Sequence, residues 1–326
     1  GGMALDLKPP KALSLNLAAS AFRERRARSK WVPRAEAHAL KLTNAQYEVQ
    51  PLVDLLTSLF GDRTLGDPEI PTGLCLVTKR ADTGSTWPLI NHPDGKYYKW
   101  NKVIPLRQAV RAAGAAPTIF DPAEVEYDPD SPPGAFIDGA ISTANNPSLQ
   151  ALLVATLRGF PFRWQTGEDN LLLVSVGTGA WHRDTDTREM LDYWGKDWVK
   201  TIPDQMIEDT NWQNQLTLQY LSRTPTPYFI DGEVEFLESD LLGDTPKLTY
   251  LRYNAWLEAD SFRELGLDHL VEQLDDLREM DRGGNAQTLY EIGKVAATSD
   301  VVEKGEKIRR YPIKAEHFPS SFDLPR

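Results

Sequence analysis

Residues 170–179 read N-L-L-L-V-S-V-G-T-G, with six consecutive apolar or small residues running into a glycine turn. A run without alternation suits a parallel strand covered on both faces, because neither face of such a strand meets water. It follows a well-marked helix over residues 145–159, with Asn146 as N-cap, Pro147 in the first turn and Gly159 just past the end. The same alternation runs upstream. Short apolar stretches predict strands at 73–80 and 134–138. Leu52, Leu55, Leu56 and Leu59 ahead of Gly61 predict a helix over 49–60, and Pro105 and Pro117 bracket another over 104–116. Residues 11–28, 205–223 and 261–297 are read as helical, the last broken at 282–287. Strands alternating with helices imply an α/β layered fold with a largely parallel sheet. From about residue 300 the chain turns polar and proline-containing and is expected to form a surface tail.

The chain has 326 residues, enough for two domains or for one large α/β domain. Its one cysteine, Cys75, can form no internal disulfide. No run of apolar residues is long enough for a transmembrane helix, and the opening G-G-M-A-L-D-L-K-P-P is too polar for a secretory signal. A net charge of −11 argues against a nucleic acid polymer as partner, since phosphate binding needs a basic face. The exception is F-R-E-R-R-A-R-S-K-W-V-P-R at 22–34, which reads as a solvated helix end or as a patch resting on anionic lipid headgroups around Trp31.

The tetrapeptide F-I-D-G occurs twice, at Asp138 and at Asp231. Asp-Gly is first of all a turn signal. Asp138 ends a short apolar strand, and Gly139 after it lets other groups approach closely. A carboxylate so placed can accept a hydrogen bond from a neighbouring hydroxyl. Asp231 precedes an acidic stretch with alternating apolar positions, so it is read as a plain turn residue beside a surface hairpin or edge strand. The V-G-T-G turn has His182 where a dinucleotide fingerprint needs its third glycine. Asp184 and Asp186 lack the pattern of a calcium loop. Trp181, Trp194, Trp198 and Trp212 are read as core or lid packing, with an acyl-chain wall as the minority alternative.

Three stretches, taken together, carry a resemblance. They are V-R-A-A-G-A-A-P-T-I-F-D-P (110–122), D-G-A-I-S-T-A-N-N-P (138–147) and L-L-V-S-V-G-T-G (172–179). In this order and spacing they resemble the patatin-like phospholipase family, bacterial type, through Arg111, Ala112, Ala115, Ala116, Pro117 and Phe120, then Asp138, Gly139, Ala140, Asn145, Asn146 and Pro147, then Ser175, Gly177, Thr178 and Gly179. Gly114 stands where Ser or Thr is more usual. The resemblance implies a three-layer α/β/α sandwich with a mostly parallel central sheet, occupying residues 1–300, with 301–326 as the C-terminal tail. It also implies a lipid acyl hydrolase of the phospholipase A or lysophospholipase type, working through a Ser–Asp dyad without histidine. The serine of a G-x-S-x-G elbow attacks the ester carbonyl, and the aspartate of D-G-A takes its proton. Carried onto this chain, that general base is Asp138, with Gly139 and Asn145-Asn146-Pro147 supporting the loop behind it. The implied partner is a phospholipid or another acyl ester, met in transient contact with a membrane surface. The implied location is cytoplasmic or membrane-peripheral, and no metal or organic cofactor is implied.

The sequence departs from that pattern in one respect. No G-x-S-x-G and no glycine-rich oxyanion loop occurs in the 326 residues. Ser85 in T-G-S-T-W lacks the second glycine and is read as a loop residue, Ser175 lies inside a strand, and Ser20 lacks both glycines. Gly1-Gly2 reads either as the tail of an elbow whose serine lies just upstream or as two glycines added before Met3. The base, and not the nucleophile, is therefore expected within these residues. The alternative is a catalytically incomplete homologue that binds lipid or protein; a third reading is a hydrolase with another nucleophile.

Overall fold

The computed structural model describes residues 45–182, 185–299, 303–304, 308–309 and 311–322. The helix expected over 11–28, the basic stretch 22–34, Gly1-Gly2 and Asp184 lie outside the described residues. The chain divides into two units, Gly1–Ser142 with Met280–Gln287, and Thr143–Glu279 with Thr288–Arg326.

Among the described residues, the first helix of the first unit is α1 (Gln50–Phe60), started by Pro51 in its first turn and stopped at Gly61, whose φ of 55° suits glycine. Strands β1 (Cys75–Arg80) and β2 (Ser85–Ile90) follow, then α2 (Tyr98–Asn101), α3 (Leu106–Ala113), β3 (Ala123–Val125) and β4 (Gly134–Asp138). The four strands pair in the order β2-β1-β4-β3, every neighbour antiparallel. The short link between β1 and β2, with Gly84 at φ 69°, permits no other sense: parallel strands need a crossover of a dozen or more residues. Ala109, Ala112 and Ala115 are fully buried, and their small side chains let α3 lie close to the sheet. Leu65, Leu89, Ile104, Val125 and Phe136 complete the core. The Phe136 ring meets Trp87 edge-on at 5.9 Å.

The second unit contains α4 (Ser148–Thr156), β5 (Leu172–Val176), α5 (Thr187–Leu191), α6 (Gly195–Leu221), β6 (Thr249–Tyr253), α7 (Ala259–Glu264) and α8 (Leu274–Arg278). Helix α9 (Ala286–Thr298) begins in the first unit's segment and ends in the second. Strands β5 and β6 are parallel, in register from Leu172 opposite Thr249 to Val176 opposite Tyr253. A two-stranded antiparallel pair, β7 (Glu303–Lys304) and β8 (Ile308–Arg309), lies near the C-terminus. Leu152, Leu171, Leu218, Leu248 and Tyr250 form one core cluster; Leu257, Phe262, Leu274, Leu277 and Ile292 form another. Residues 311–322 pack on this unit: Ile313 N–H donates to the Ala297 carbonyl at 3.0 Å and Ser321 Oγ to the Asp169 carbonyl at 2.9 Å.

The chain is thus a mixed α/β protein, but three expectations change. Among the described residues the largest sheet is antiparallel, and only β5 and β6 run parallel. The expected cover on both faces is found for β6, whose five residues are all buried, whereas Val174 and Val176 on β5 are exposed. The hairpin expected after Asp231 is a set of tight turns, with Ile230 N–H reaching the Glu235 carbonyl at 2.7 Å and positive φ at Glu235 and Leu237. Phe136→Ala should cost about 3–5 kcal/mol, because a fully buried ring at the centre of the first core leaves a cavity. Urea unfolding monitored by circular dichroism measures it.

Candidate active site

Asp138 is the last residue of β4, opposite Thr78 of β1. Its own N–H donates to the Ala115 carbonyl at 3.0 Å, so the strand end is held by the ladder and by the buried segment after α3. The chain then enters a one-turn 3-10 helix, Gly139–Ile141, which the Asp138 carboxylate caps: Oδ1 accepts the Ala140 N–H at 2.8 Å. Gly139 is buried, and a Cβ there would stand 2.4 Å from the Val77 carbonyl oxygen. Ser142 Oγ donates to the Gly139 carbonyl at 2.6 Å rather than to the carboxylate. The second oxygen of Asp138 has no hydrogen-bond partner among the described residues. Burial pushes the carboxyl pKa up, outweighing the single N–H bond that pulls it down. The result is a carboxylate with a free lone pair and raised basicity at a strand end, which are the properties of a proton acceptor.

Asp231 has the same neighbours and the opposite character. Its Oδ1 accepts from Glu233 N–H at 2.8 Å and Val234 N–H at 2.9 Å, on an exposed turn. Those two donors hold its pKa below the usual carboxylate range. One F-I-D-G thus raises its carboxylate by burial, and the other locks it in the charged form.

Asn145, Asn146 and Pro147 belong to the second unit and lead into α4. Asn145 and Pro147 are exposed; Asn146 is buried. Asn146 Oδ1 accepts from Ser148 N–H at 3.2 Å and lies 2.6 Å from Ser148 Oγ and 3.3 Å from Ser175 Oγ. The two serine hydroxyls are 2.7 Å apart, and Arg252 donates through one guanidinium nitrogen to Ser175 Oγ at 2.8 Å. From α6, Asn214 Nδ2 donates to the carbonyls of Thr143 at 2.7 Å and Asn146 at 3.1 Å. Ser175 is therefore a buried link that ties its strand to the N-N-P loop. Beyond it, Asn254 packs into the G-T-G turn: its Oδ1 accepts Gly179 N–H at 2.8 Å, and a Cβ on Gly177 would collide with its side chain. Asn214, Arg252 and Asn254 escape a reading by motif. Asn214 carried one signal, a polar residue one helical turn from the buried Leu218.

Of the serines weighed as nucleophiles, Ser20 lies outside the described residues, and Ser85 is exposed and accepts from Thr83 Oγ1 at 3.1 Å. Burial pushes the Cys75 thiol up to about 11, so little thiolate exists at neutral pH. Ser175 sits inside the polar network. His182 Nδ1 lies 2.8 Å from Glu258 and its ring stacks on Trp256, while His317 Nδ1 lies 3.1 Å from the Tyr253 hydroxyl. Trp181 packs on the Leu257 cluster as expected, whereas Trp194 is exposed. No helix among the described residues is long and apolar enough to cross a membrane.

Residues 2–152 match the family model for patatin-like phospholipase. The matched stretch contains Asp138 and the N-N-P loop; the S-V-G-T-G strand lies beyond it. No curated protein matches the chain. Patatin-like proteins hydrolyse lipid esters. Gly139→Ala should cost about 1–3 kcal/mol by forcing a methyl into the Val77 carbonyl, whereas Gly232→Ala, with open space around it, should be nearly neutral. Thermal unfolding of the two variants makes the comparison within one repeated tetrapeptide.

Proposed function

We propose that the protein is a lipid acyl hydrolase of the phospholipase A or lysophospholipase type in which Asp138 is the general base of a Ser–Asp dyad. The observation that supports this reading most is the Asp138 carboxylate itself, buried enough to be more basic than usual and with one oxygen that accepts no hydrogen bond from the described residues. In the proposed reaction the serine hydroxyl proton passes to Asp138 as Oγ bonds to the ester carbonyl carbon. The tetrahedral intermediate then collapses, and the alcohol leaves with that proton. Water, deprotonated by the same carboxylate, releases the acid and regenerates the serine. Gly139 and Asn145-Asn146-Pro147 are the loop residues of this site. The substrate is a phospholipid or a related acyl ester, met by a cytoplasmic protein in peripheral contact with a membrane. We take residues 1–300 as the hydrolase domain and 301–326 as a C-terminal segment beyond it. The reading assigns the base and leaves the serine outside the 326 residues, which contain no G-x-S-x-G. The second reading is a catalytically incomplete homologue that binds lipid or protein.

Turnover of phospholipid and of a p-nitrophenyl ester by the protein in its natural reading frame separates the two. Asp138→Asn should lower it by roughly 10²–10⁴-fold, the contribution of a general base, while Asp231→Asn leaves it unchanged. Equal losses in both variants would contradict the assignment. The raised pKa also fixes a pH dependence. Activity that needs the carboxylate falls away at a higher pH than an ordinary aspartate would allow. For stability the sign is opposite. The native state binds this proton more tightly than the unfolded chain, so the contribution is present below the unfolded pKa and is lost as pH rises through the folded value. Asp138→Asn retains the Oδ1 acceptor for Ala140 N–H and should be at least as stable as the wild type at neutral pH, as urea titrations at two pH values will show.

A further inference from the structure

The segment from His92 to Val103 joins β2 to α3 and is pinned from inside. Asn101 is buried and donates through Nδ2 to the Ile90 carbonyl at 3.1 Å, and Ile104 behind it is 1% exposed. With those two residues turned inward, Tyr98 and Trp100 are half-buried and the lysines around them face out. Lys96, Lys99 and Lys102 are exposed, Tyr97 is 48% exposed and Val103 62% exposed. The Tyr97 and Trp100 rings lie 6.0 Å apart, and Tyr97 also packs on Trp87 at 6.2 Å. Lys99 Nζ stands 3.8 Å above the Trp100 ring and Lys96 Nζ 5.5 Å from the Tyr97 ring. Three lysines stand here against one carboxylate of the same segment, Asp94, with Asp67 next to the Gly66 backbone that abuts Lys102. On a chain of net charge −11 this is a local reversal of sign.

We propose that this face is a docking surface for an anionic lipid bilayer, with Lys96, Lys99 and Lys102 at the headgroup phosphates and Tyr97, Trp100 and Val103 at the interface beneath them. The partner follows from complementarity of two kinds. Positive charge selects a negative surface, and aromatic rings with a polar edge, flanked by long lysine stems, match the headgroup level of a membrane. The net negative charge of the molecule opposes a general attraction to such a surface, so attraction has to be local and oriented. The proposal rests on the acyl-hydrolase reading for the choice of lipid over another polyanion, but binding can be measured without turnover.

The test is co-sedimentation of the full chain with vesicles of phosphatidylcholine alone and of phosphatidylcholine with phosphatidylglycerol in equal parts. The expected result is binding to the anionic vesicles, weakened by salt, and little to the neutral ones. Each lysine near such a surface contributes roughly fivefold in partitioning, so K96Q/K99Q/K102Q should lower it about a hundredfold. The control K247Q/K294Q/K314Q changes net charge by the same amount elsewhere and should bind within a fewfold of wild type. Tyr97→Ser should weaken binding on its own without altering the salt dependence. Equal binding to both vesicle types, no binding to either, or equal losses in the two triple variants would overturn the proposal. A chain that binds in this pattern and hydrolyses nothing would leave the docking surface standing and remove the catalytic reading; hydrolysis without charge-selective binding would do the reverse.

Discussion

The close approach of the Gly139 backbone to the Val77 carbonyl fixes the neighbourhood of Asp138. A Cβ at this position would sit at 2.4 Å from that oxygen, so the chain can turn there only as glycine. Because it turns there, β4 ends opposite Thr78 and the Asp138 side chain folds back over the start of the one-turn helix. The carboxylate is then partly removed from water, and among the described residues it receives one backbone N–H in exchange. Desolvation without full compensation disfavours the charged form and raises its proton affinity. The chemistry assigned to Asp138 is thus a consequence of a steric condition one residue away.

In the second unit the ordering element is polar. A buried arginine, Arg252, is paired with no carboxylate among the described residues and instead donates to the Ser175 hydroxyl. From there contacts run through Ser148 and Asn146 to the start of α4, and Asn214 clamps the same loop from α6. These linked hydrogen bonds favour one arrangement, because a slipped register would strand buried hydroxyls and a cation; the buried Asn146 Nδ2 alone of that side chain has no partner among the described residues. This gives the N-N-P and S-V-G-T-G stretches a shared physical purpose: each supplies a short polar side chain to one hydrogen-bonded cluster.

Much of the local structure was legible because it obeys periodicity and punctuation. Helix α1 stops at Gly61, α3 starts after Pro105, and the apolar run at 172–176 is a parallel strand. The start of α6 was not legible. The helical reading began at residue 205, yet the helix runs from Gly195 through Pro203, with the Asp197 carboxylate accepting the Trp194 N–H at 3.0 Å. The antiparallel sheet was hidden for a related reason. Pairing sense is set by connection length and tertiary partners, which an alternation of strands and helices along the chain does not record. The two F-I-D-G sites show the limit most clearly. Their letters are identical, and whether the aspartate loses water or gains a second N–H donor depends on contacts distant in sequence, Val77 and Ala115 for one, and on two local amides for the other.

The account turns on the different environments of these two carboxylates, and their titration measures that difference directly. Carbon-13 labelling of the aspartate carboxyl groups, with Asp138→Asn and Asp231→Asn used to assign the two signals, gives both midpoints by nuclear magnetic resonance. Asp138 is expected to titrate above the ordinary aspartate value and Asp231 below it. An Asp138 midpoint at or below that of Asp231 would contradict the claim that burial has prepared Asp138 to accept a proton.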